Sequence, residues 1–295
     1  MNTPLRQTLA RGLRKAAQLI DPTLAAVAPP SAAPAPSSIQ AAGKSSVTQD
    51  DILRFCRYFA SYEAQGFAKV RLGNAHDGGY IFLDDFAATT HVISCGISND
   101  VTCDFEFAEM GKKVLQFDHT VPGPPVAHAN FAFFKQAIDE SLEIPGSTKL
   151  SDVVRNAGQS GQCDVILKID IDGGEWQCFA DFPQEHFARL RQIACEFHWT
   201  SKLTDPAQFA QCEAAIRNIA AAFFPVHVHA NNYVGFNNVM GVPVPEVFEV
   251  TFANRAIFTP GSAYVTSPGP LDTPNNPDAP DLYLGAPLFQ AGGTR

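Results

Sequence analysis

The run Asp164-Val165-Ile166-Leu167-Lys168-Ile169 is almost uninterrupted in its apolar character and ends abruptly in Asp170-Ile171-Asp172-Gly173-Gly174-Glu175. A stretch this short and this apolar fits a strand buried on both faces, the condition of a central strand in a parallel sheet. Strand-like and helix-like patterns alternate around it. His91–Cys95, Lys113–Phe117 and Phe131–Phe134 read as strands before it, with helices over residues 100–110 and 150–157. Helices around Glu175–Ala180 and Glu185–Leu190 follow it, then strands over 192–197, 226–229 and 247–252, with a long helix over 208–222 between the first two of these. Such alternation predicts an α/β fold, Rossmann-like, with a mostly parallel, doubly wound sheet.

The 295 residues, 45% of them hydrophobic, suffice for one large domain with a sizeable core. Three parts are expected: a leader and linker over 1–47, a domain over 48–260, and an irregular tail over 261–295 packed on that domain. The leader carries Arg6, Arg11, Arg14 and Lys15 without an acid, and spaces Leu5, Leu9 and Leu13 like a short amphipathic helix that could touch a partner or a membrane surface. The Ala/Pro/Ser-rich stretch after it cannot offset its ordering entropy. Thr48-Gln49-Asp50-Asp51 reads as a helix N-terminus. With a net charge of −9, all the more acidic once the basic leader is set aside, the body would repel a phosphate backbone, which argues against nucleic acid and for a small-molecule partner. No apolar run reaches the roughly 20 residues of a transmembrane segment. Seven cysteines, odd in number and without a CxxC pair, suggest neither a disulfide framework nor a zinc cluster, and fit a reducing cytoplasm.

In an open parallel sheet, ligands bind beyond the carboxyl ends of the strands near the switch in strand order, and here those ends are polar. The first strand runs into Gly96-Ile97-Ser98-Asn99-Asp100, where a glycine lets backbone and ligand approach closely. Asp118 ends the second strand 22 residues beyond Gly96, near the ~20-residue offset of a ribose-binding acid, so the pair points to a nucleoside-containing cofactor. The three-glycine dinucleotide fingerprint is absent, which argues against a nicotinamide-linked oxidoreductase. Asp170, Asp172 and Glu175 crowd three carboxylates into six residues, and require a divalent cation, an ammonium or Lys168 among them. Glu196 and His198 share a face by strand alternation, as do His227 and His229. Histidines beside these acids could take a proton from a hydroxyl, and a set of Asp170, Asp172, Glu196 and His198 could hold Mg²⁺ or Mn²⁺. Asp77-Gly78-Gly79 reads most simply as a β-hairpin turn.

Taken in order, Arg71…Asp77-Gly78-Gly79-Tyr80, Ser94-Cys95-Gly96-Ile97-Ser98-Asn99-Asp100, Phe117-Asp118, Leu167-Lys168-Ile169-Asp170-Ile171-Asp172-Gly173-Gly174-Glu175-Trp176, Glu196-Phe197-His198 and His229-Ala230-Asn231-Asn232 resemble the FkbM-like branch of the S-adenosylmethionine (SAM)-dependent methyltransferases, a bacterial-type family. The resemblance implies a seven-stranded methyltransferase fold with SAM along the first two strand ends. It places Gly96, Ser98, Asp100, Asp118 and Asp170 around the cofactor, with Gly96 at the methionine moiety, Asp118 at the ribose and Asp170 at the reacting centre. Asp77, Tyr80, Asn231 and Asn232 would contact the acceptor. One departure is Asp172-Gly173-Gly174 where the family pattern has Glu-Gly-Ala, which withdraws the charge at 172 by one methylene. The expected activity is methyl transfer to an oxygen of a small molecule or sugar, with His198 or His229 as base and Asp170 and Glu196 orienting it. The alternatives are a metal-dependent hydrolase built on Asp170, Asp172, Glu196 and His198, and a non-catalytic interaction module that keeps the fold.

Overall fold

The computed structural model describes residues 46–159, 161–263 and 266–284. The expectations for residues 1–20 and for most of the Ala/Pro/Ser stretch lie outside these residues. Helix α1 (Gln49–Cys56) starts where the sequence signal puts it, with Thr48 and Asp51 capping each other's backbone N–H in a capping box. Strands β1 (Tyr62–Ala64), β2 (Lys69–Gly73) and β3 (Gly79–Leu83) follow, the last two forming an antiparallel hairpin around Asp77-Gly78. Next come β4 (His91–Cys95), α2 (Thr102–Glu109), β5 (Lys113–Phe117), β6 (Phe131–Phe134), α3 (Leu150–Asn156) and β7 (Val165–Ile169). The chain continues through α4 (Glu175–Ala180), α5 (Gln184–Phe187), β8 (Leu190–Phe197), α6 (Pro206–Ala222), β9 (Phe223–Ala230), the hairpin β10 (Phe236–Val239) and β11 (Val242–Pro245), β12 (Phe248–Asn254) and β13 (Pro260–Ala263).

Seven strands form the central sheet in the order β6-β5-β4-β7-β8-β12-β9. All neighbours are parallel except β12, which runs antiparallel to both β8 and β9. The order reverses between β4 and β7, which makes the crevice at their carboxyl ends the topological switch point. This is an α/β, Rossmann-like architecture with a mostly parallel central sheet.

The two faces of the sheet are covered differently. Ile93, Ile169, Cys195 and Val250 point into one large core shared with α1, α3, α4, α5 and α6. Val92, Ile166 and Ala194 point the other way, onto Leu72, Tyr80 and Phe82 of the β2–β3 hairpin and onto Phe107 of α2. The second face is thus covered by a hairpin with one helix, and the expectation of a doubly wound sheet is corrected to that extent. The reason lies in the 70–83 segment, whose alternating residues bury one hairpin face where a further helix would otherwise sit.

On the helical side, Trp176 stacks on Phe197 with ring centroids 4.2 Å apart, and Phe59 meets Phe248 edge-on at 4.9 Å. The Trp176 indole N–H donates to the His198 carbonyl at 2.7 Å. Burying an aromatic of this size contributes about 1.5–3 kcal/mol, so α4 and the end of β8 are locked together where the polar residues begin. Among the described residues no helix is long and apolar enough to cross a membrane.

Candidate functional site

Strand register assembles the site. Cys95 pairs with Phe117 and with Ile169, and Ile169 pairs with Cys195. One step further along these parallel strands, Asp118, Gly96, Asp170 and Glu196 stand side by side. Antiparallel β12 then sets Glu249 opposite both Glu196 and His229. Since Phe117, Ile169, Cys195 and Val250 point into the helical core, alternation turns this row toward the hairpin face. The hairpin supplies Tyr80, whose hydroxyl donates to Asp170 Oδ2 at 3.0 Å.

His198, 5% exposed, is the hub. Its Nδ1 lies 3.2 Å from Glu175 Oε1, while Nε2 faces Glu196 at 3.5 Å, Asp170 at 3.8 Å and Asp172 at 3.9 Å. Glu175 is fully buried and accepts from the Ile171 N–H at 2.7 Å and the Gly173 N–H at 2.9 Å. One carboxylate therefore shapes the turn after β7 and aims the imidazole. From sequence, Glu175 is one of three crowded carboxylates, with no partner identified for it. Its spacing after Asp170 and the double glycine was the available signal, but its partner lies across the strand order.

Burial alone would lower the His198 pKa; the surrounding charges, Glu175 and then Glu196 and Asp170, outweigh it and hold the ring well above its ordinary value. Burial, then Asp170, pushes Glu196 well above the usual carboxylate range. Lys168 supplies a second cation: its ammonium donates to the Gly96 carbonyl and lies 3.7 Å from Asp170 Oδ2. Desolvation of Lys168 is outweighed by Asp170 and Asp104, so its pKa is raised and the charge is retained. An ammonium and an imidazole stand among the acids, as their crowding required.

Asp170, Glu196 and His198 offer one donor atom each within 4.8 Å of one another. Asp172, named with them from sequence, is outside that set. Its side chain is 72% exposed and its backbone takes a left-handed φ of 57°. The Trp199 indole donates to its carbonyl, which leaves the carboxylate on the rim.

His229 belongs to a neighbouring group. Its Nε2 is held by Asp281 at 3.0 Å, and its Nδ1 is 4.0 Å from Glu249. Glu249 accepts from Asn275 at 2.6 Å, and burial raises its pKa to about 7. His227 contacts Asp272 at 2.7 Å. Asp272, Asn275 and Asp281 come from the segment 266–284, which lies across the ends of β9 and β12. Asn232 fastens that segment, donating to the carbonyls of Asn276, Ala279 and Pro280 and accepting from the Asn276 N–H. Asn231 turns inward and donates to Glu196 at 3.1 Å. Asn232→Ala is expected to cost about 1–2 kcal/mol and to speed proteolytic cleavage within 266–284. An unchanged digestion pattern would show that other contacts hold the strap.

The residues that the sequence assigns to a cofactor are also engaged within the protein. Asp118 Oδ2 accepts from the N–H groups of Ile97 and Ser98 at 3.1 and 2.9 Å, and Oδ1 from the Thr120 amide and hydroxyl at 2.7 and 2.6 Å. Burial opposes its charge, but these bonds prevail and lower its pKa. Asp100 accepts from Thr102 and from Asn74, joining the start of α2 to the hairpin turn. Ser98 is exposed, with a left-handed φ of 45°. A Cβ on Gly96 would lie 1.7 Å from the Asp170 carbonyl oxygen, so the close approach that demands glycine there is between strands β4 and β7. Asp77 sits beside Asp170 and Asn275, and burial, then Asp170, raises its pKa. The hairpin turn therefore also contributes a carboxylate to the site.

No protein-family model matches the chain, and no curated protein does. Among solved structures, the crystal structure of the 23S rRNA methyltransferase ErmE is similar at 11% identity and a TM-score of 0.31, over 72% of this chain and 70% of that one. WbdD is similar at 9% identity and a TM-score of 0.29, over 56% of this chain and 36% of that one. Likeness this slight carries no argument about activity, and the fold rests on strand order and register.

Proposed function

We propose that the chain is a SAM-dependent methyltransferase of the FkbM-like kind, acting on an oxygen of a small-molecule acceptor. One observation carries the reading. Tyr80, Asp170, Glu196 and His198 converge at the switch point, one strand away from the Gly96–Asp118 pair on which the resemblance places the cofactor.

The donor set near Asp118 fits a ribose by exchange. The cofactor's hydroxyls would replace the Thr120 amide and hydroxyl at Oδ1, while Oδ2 keeps the Gly96 loop in shape. SAM supplies an activated methyl group. Bound SAM would offer that methyl group to the acceptor oxygen, whose proton would pass to a protein group. What the chain adds is alignment and a route for that proton. Glu175, Glu196 and Asp170 favour the protonated form of His198, which disfavours it as a base, and His229 is closed off by Asp281. The base in this proposal is therefore Asp170, whose side chain is 29% exposed and oriented by Tyr80. His198 serves as the charge that balances Glu196 and Asp170.

Isothermal calorimetry with SAM tests the cofactor site. Wild type is expected to bind, and Asp118→Ala to lose about 10-fold or more in affinity, since both the loop and the ribose contact go (about 1.4 kcal/mol per factor of ten). Absence of SAM binding to wild type, or undiminished binding to Asp118→Ala, would overturn the assignment. The same acids and imidazole also suit a metal-dependent hydrolase; activity abolished by chelator and indifferent to SAM would identify that instead.

A further inference from the structure

We propose that Asp170, Glu196 and His198 form a binding site for one divalent first-row metal ion, with Mn²⁺ well matched to it. The inference stands on the geometry of these three residues, and it rests on the methyltransferase reading only for the acceptor it implies.

The independent observation is the His198 ring. It is more than nine-tenths buried and fixed at Nδ1 by a fully buried carboxylate, while Nε2 stands 3.5 Å or more from each of the carboxylates around it. That nitrogen points into the space between the carboxylates of Glu196 and Asp170, at 3.5 and 3.8 Å. Those distances are too long for hydrogen bonds, and they are close to the spacing of donors that share an ion. With metal–ligand distances of about 2.0–2.2 Å, ligand atoms lie roughly 3 Å apart. Closing the gaps asks only for small side-chain movements.

Each proposed ligand also has its own outer partner. Glu175 holds His198 through Nδ1, and a metal ion would take the place of the proton on Nε2. Tyr80 donates to Asp170 Oδ2 and leaves Oδ1 facing the histidine. Asn231 donates to Glu196. Carboxylate-held histidine and hydrogen-bonded carboxylates are the arrangement that orients ligands around metals. A cluster of acids that merely balanced one another would not require a buried glutamate to aim an imidazole at the centre.

One imidazole beside two carboxylates favours a first-row ion over Ca²⁺ or Mg²⁺, which take all-oxygen shells, and among first-row ions Mn²⁺ is the one most at home with carboxylates. Asp172 is excluded as a direct ligand, because its carboxylate is on the rim. Three protein donors leave positions open toward the crevice. An acceptor that presents two adjacent oxygens, such as a vicinal diol or a hydroxy-carbonyl, would chelate there beside Asp170. The acceptor class therefore narrows to chelating dioxygen compounds.

Mn²⁺ titration of the full, EDTA-stripped chain tests the site, with the free-ion electron paramagnetic resonance signal as the readout. Wild type is expected to bind one ion saturably. Glu196→Gln and His198→Ala should lower affinity at least about 10-fold, and Glu175→Gln by about 10- to 100-fold, whereas Asp172→Asn should stay near wild type. Electron spin-echo modulation from a directly bound ¹⁴N in wild type needs no variant to fold, and its presence is expected. Absence of saturable binding, absence of the nitrogen modulation, or unchanged affinity in folded Glu196→Gln and His198→Ala would overturn the proposal. SAM calorimetry on the same preparation separates the two readings. Mn²⁺ binding without SAM binding would retain this site and sink the methyltransferase assignment; SAM binding without Mn²⁺ would do the reverse.

Discussion

Gly96→Ala is expected to lose about 3 kcal/mol or more of folding stability, while Gly111→Ala loses only about 1 kcal/mol. Both glycines have nearly the same left-handed backbone, φ +76° and +78°, so both substitutions incur the αL penalty of roughly 1 kcal/mol. They differ in surroundings. At Gly111 an added Cβ meets nothing within 4 Å; at Gly96 it would lie 1.7 Å from the Asp170 carbonyl oxygen. Overpacking typically costs 1–3 kcal/mol when side chains can move, but here the obstacle is backbone held between two central strands. Relief would require β4 and β7 to part at their carboxyl ends, so the variant should also displace Asp170. Urea unfolding of the two variants against wild type measures the difference. Equal costs at the two positions would mean that the switch point is not packed as described.

The second large effect concerns pH. Glu249, 4% exposed, has its pKa raised from an ordinary 4.5 to about 7, chiefly by burial, with His229 and Asn275 pulling the other way. A raised carboxylate pKa means that the folded chain binds its proton more tightly than the unfolded chain does. The stabilisation is present in full below about pH 4.5 and is lost as pH rises toward 7. At 1.36 kcal/mol per pKa unit, the loss is about 3 kcal/mol. Burial and Asp170 shift Glu196 in the same direction, and the raised His198 adds a loss as pH climbs above its unfolded value of 6.5. Burial lowers the pKa of His227, which works the other way, but Glu249, Glu196 and His198 together outweigh it, so metal-free protein should become less stable between pH 5 and pH 8. Glu249→Gln keeps an acceptor for Asn275 while removing the charge, so it should flatten the slope and exceed wild type in stability at pH 8. Denaturant melts in EDTA at several pH values give the curve. A flat or rising wild-type profile, or an unaltered slope in Glu249→Gln, would contradict this account of the buried row.

Both effects arise where strand ends meet, and that is also where the sequence became hard to read. The central strands lay within a residue or three of their expected places because their signals are local: the 165–169 run is apolar throughout, and the turns after it are glycine and acid. The capping box at Thr48 and the helix Glu175–Ala180 were legible for the same reason. Glu249 was not singled out, although a lone acid inside Val247-Phe248-Glu249-Val250 was a signal that could have been used. Asp281 could not have been found, since nothing near it in the chain points to His229. His229 was grouped with His198 from sequence because both end strands, but β12 stands between β8 and β9 and separates them.

The sequence by itself determined the alternation of elements, the polar character of every strand end at the switch point, and the residue types available for chemistry, because propensity and periodicity act over a few residues. Which acids face one another was decided by tertiary structure. The register of six strands sets Asp118, Gly96, Asp170, Glu196, Glu249 and His229 in one row, and a buried glutamate then turns His198 into it. Register depends on how whole strands pack, and a slip of one residue would have turned the same carboxylates to the opposite face.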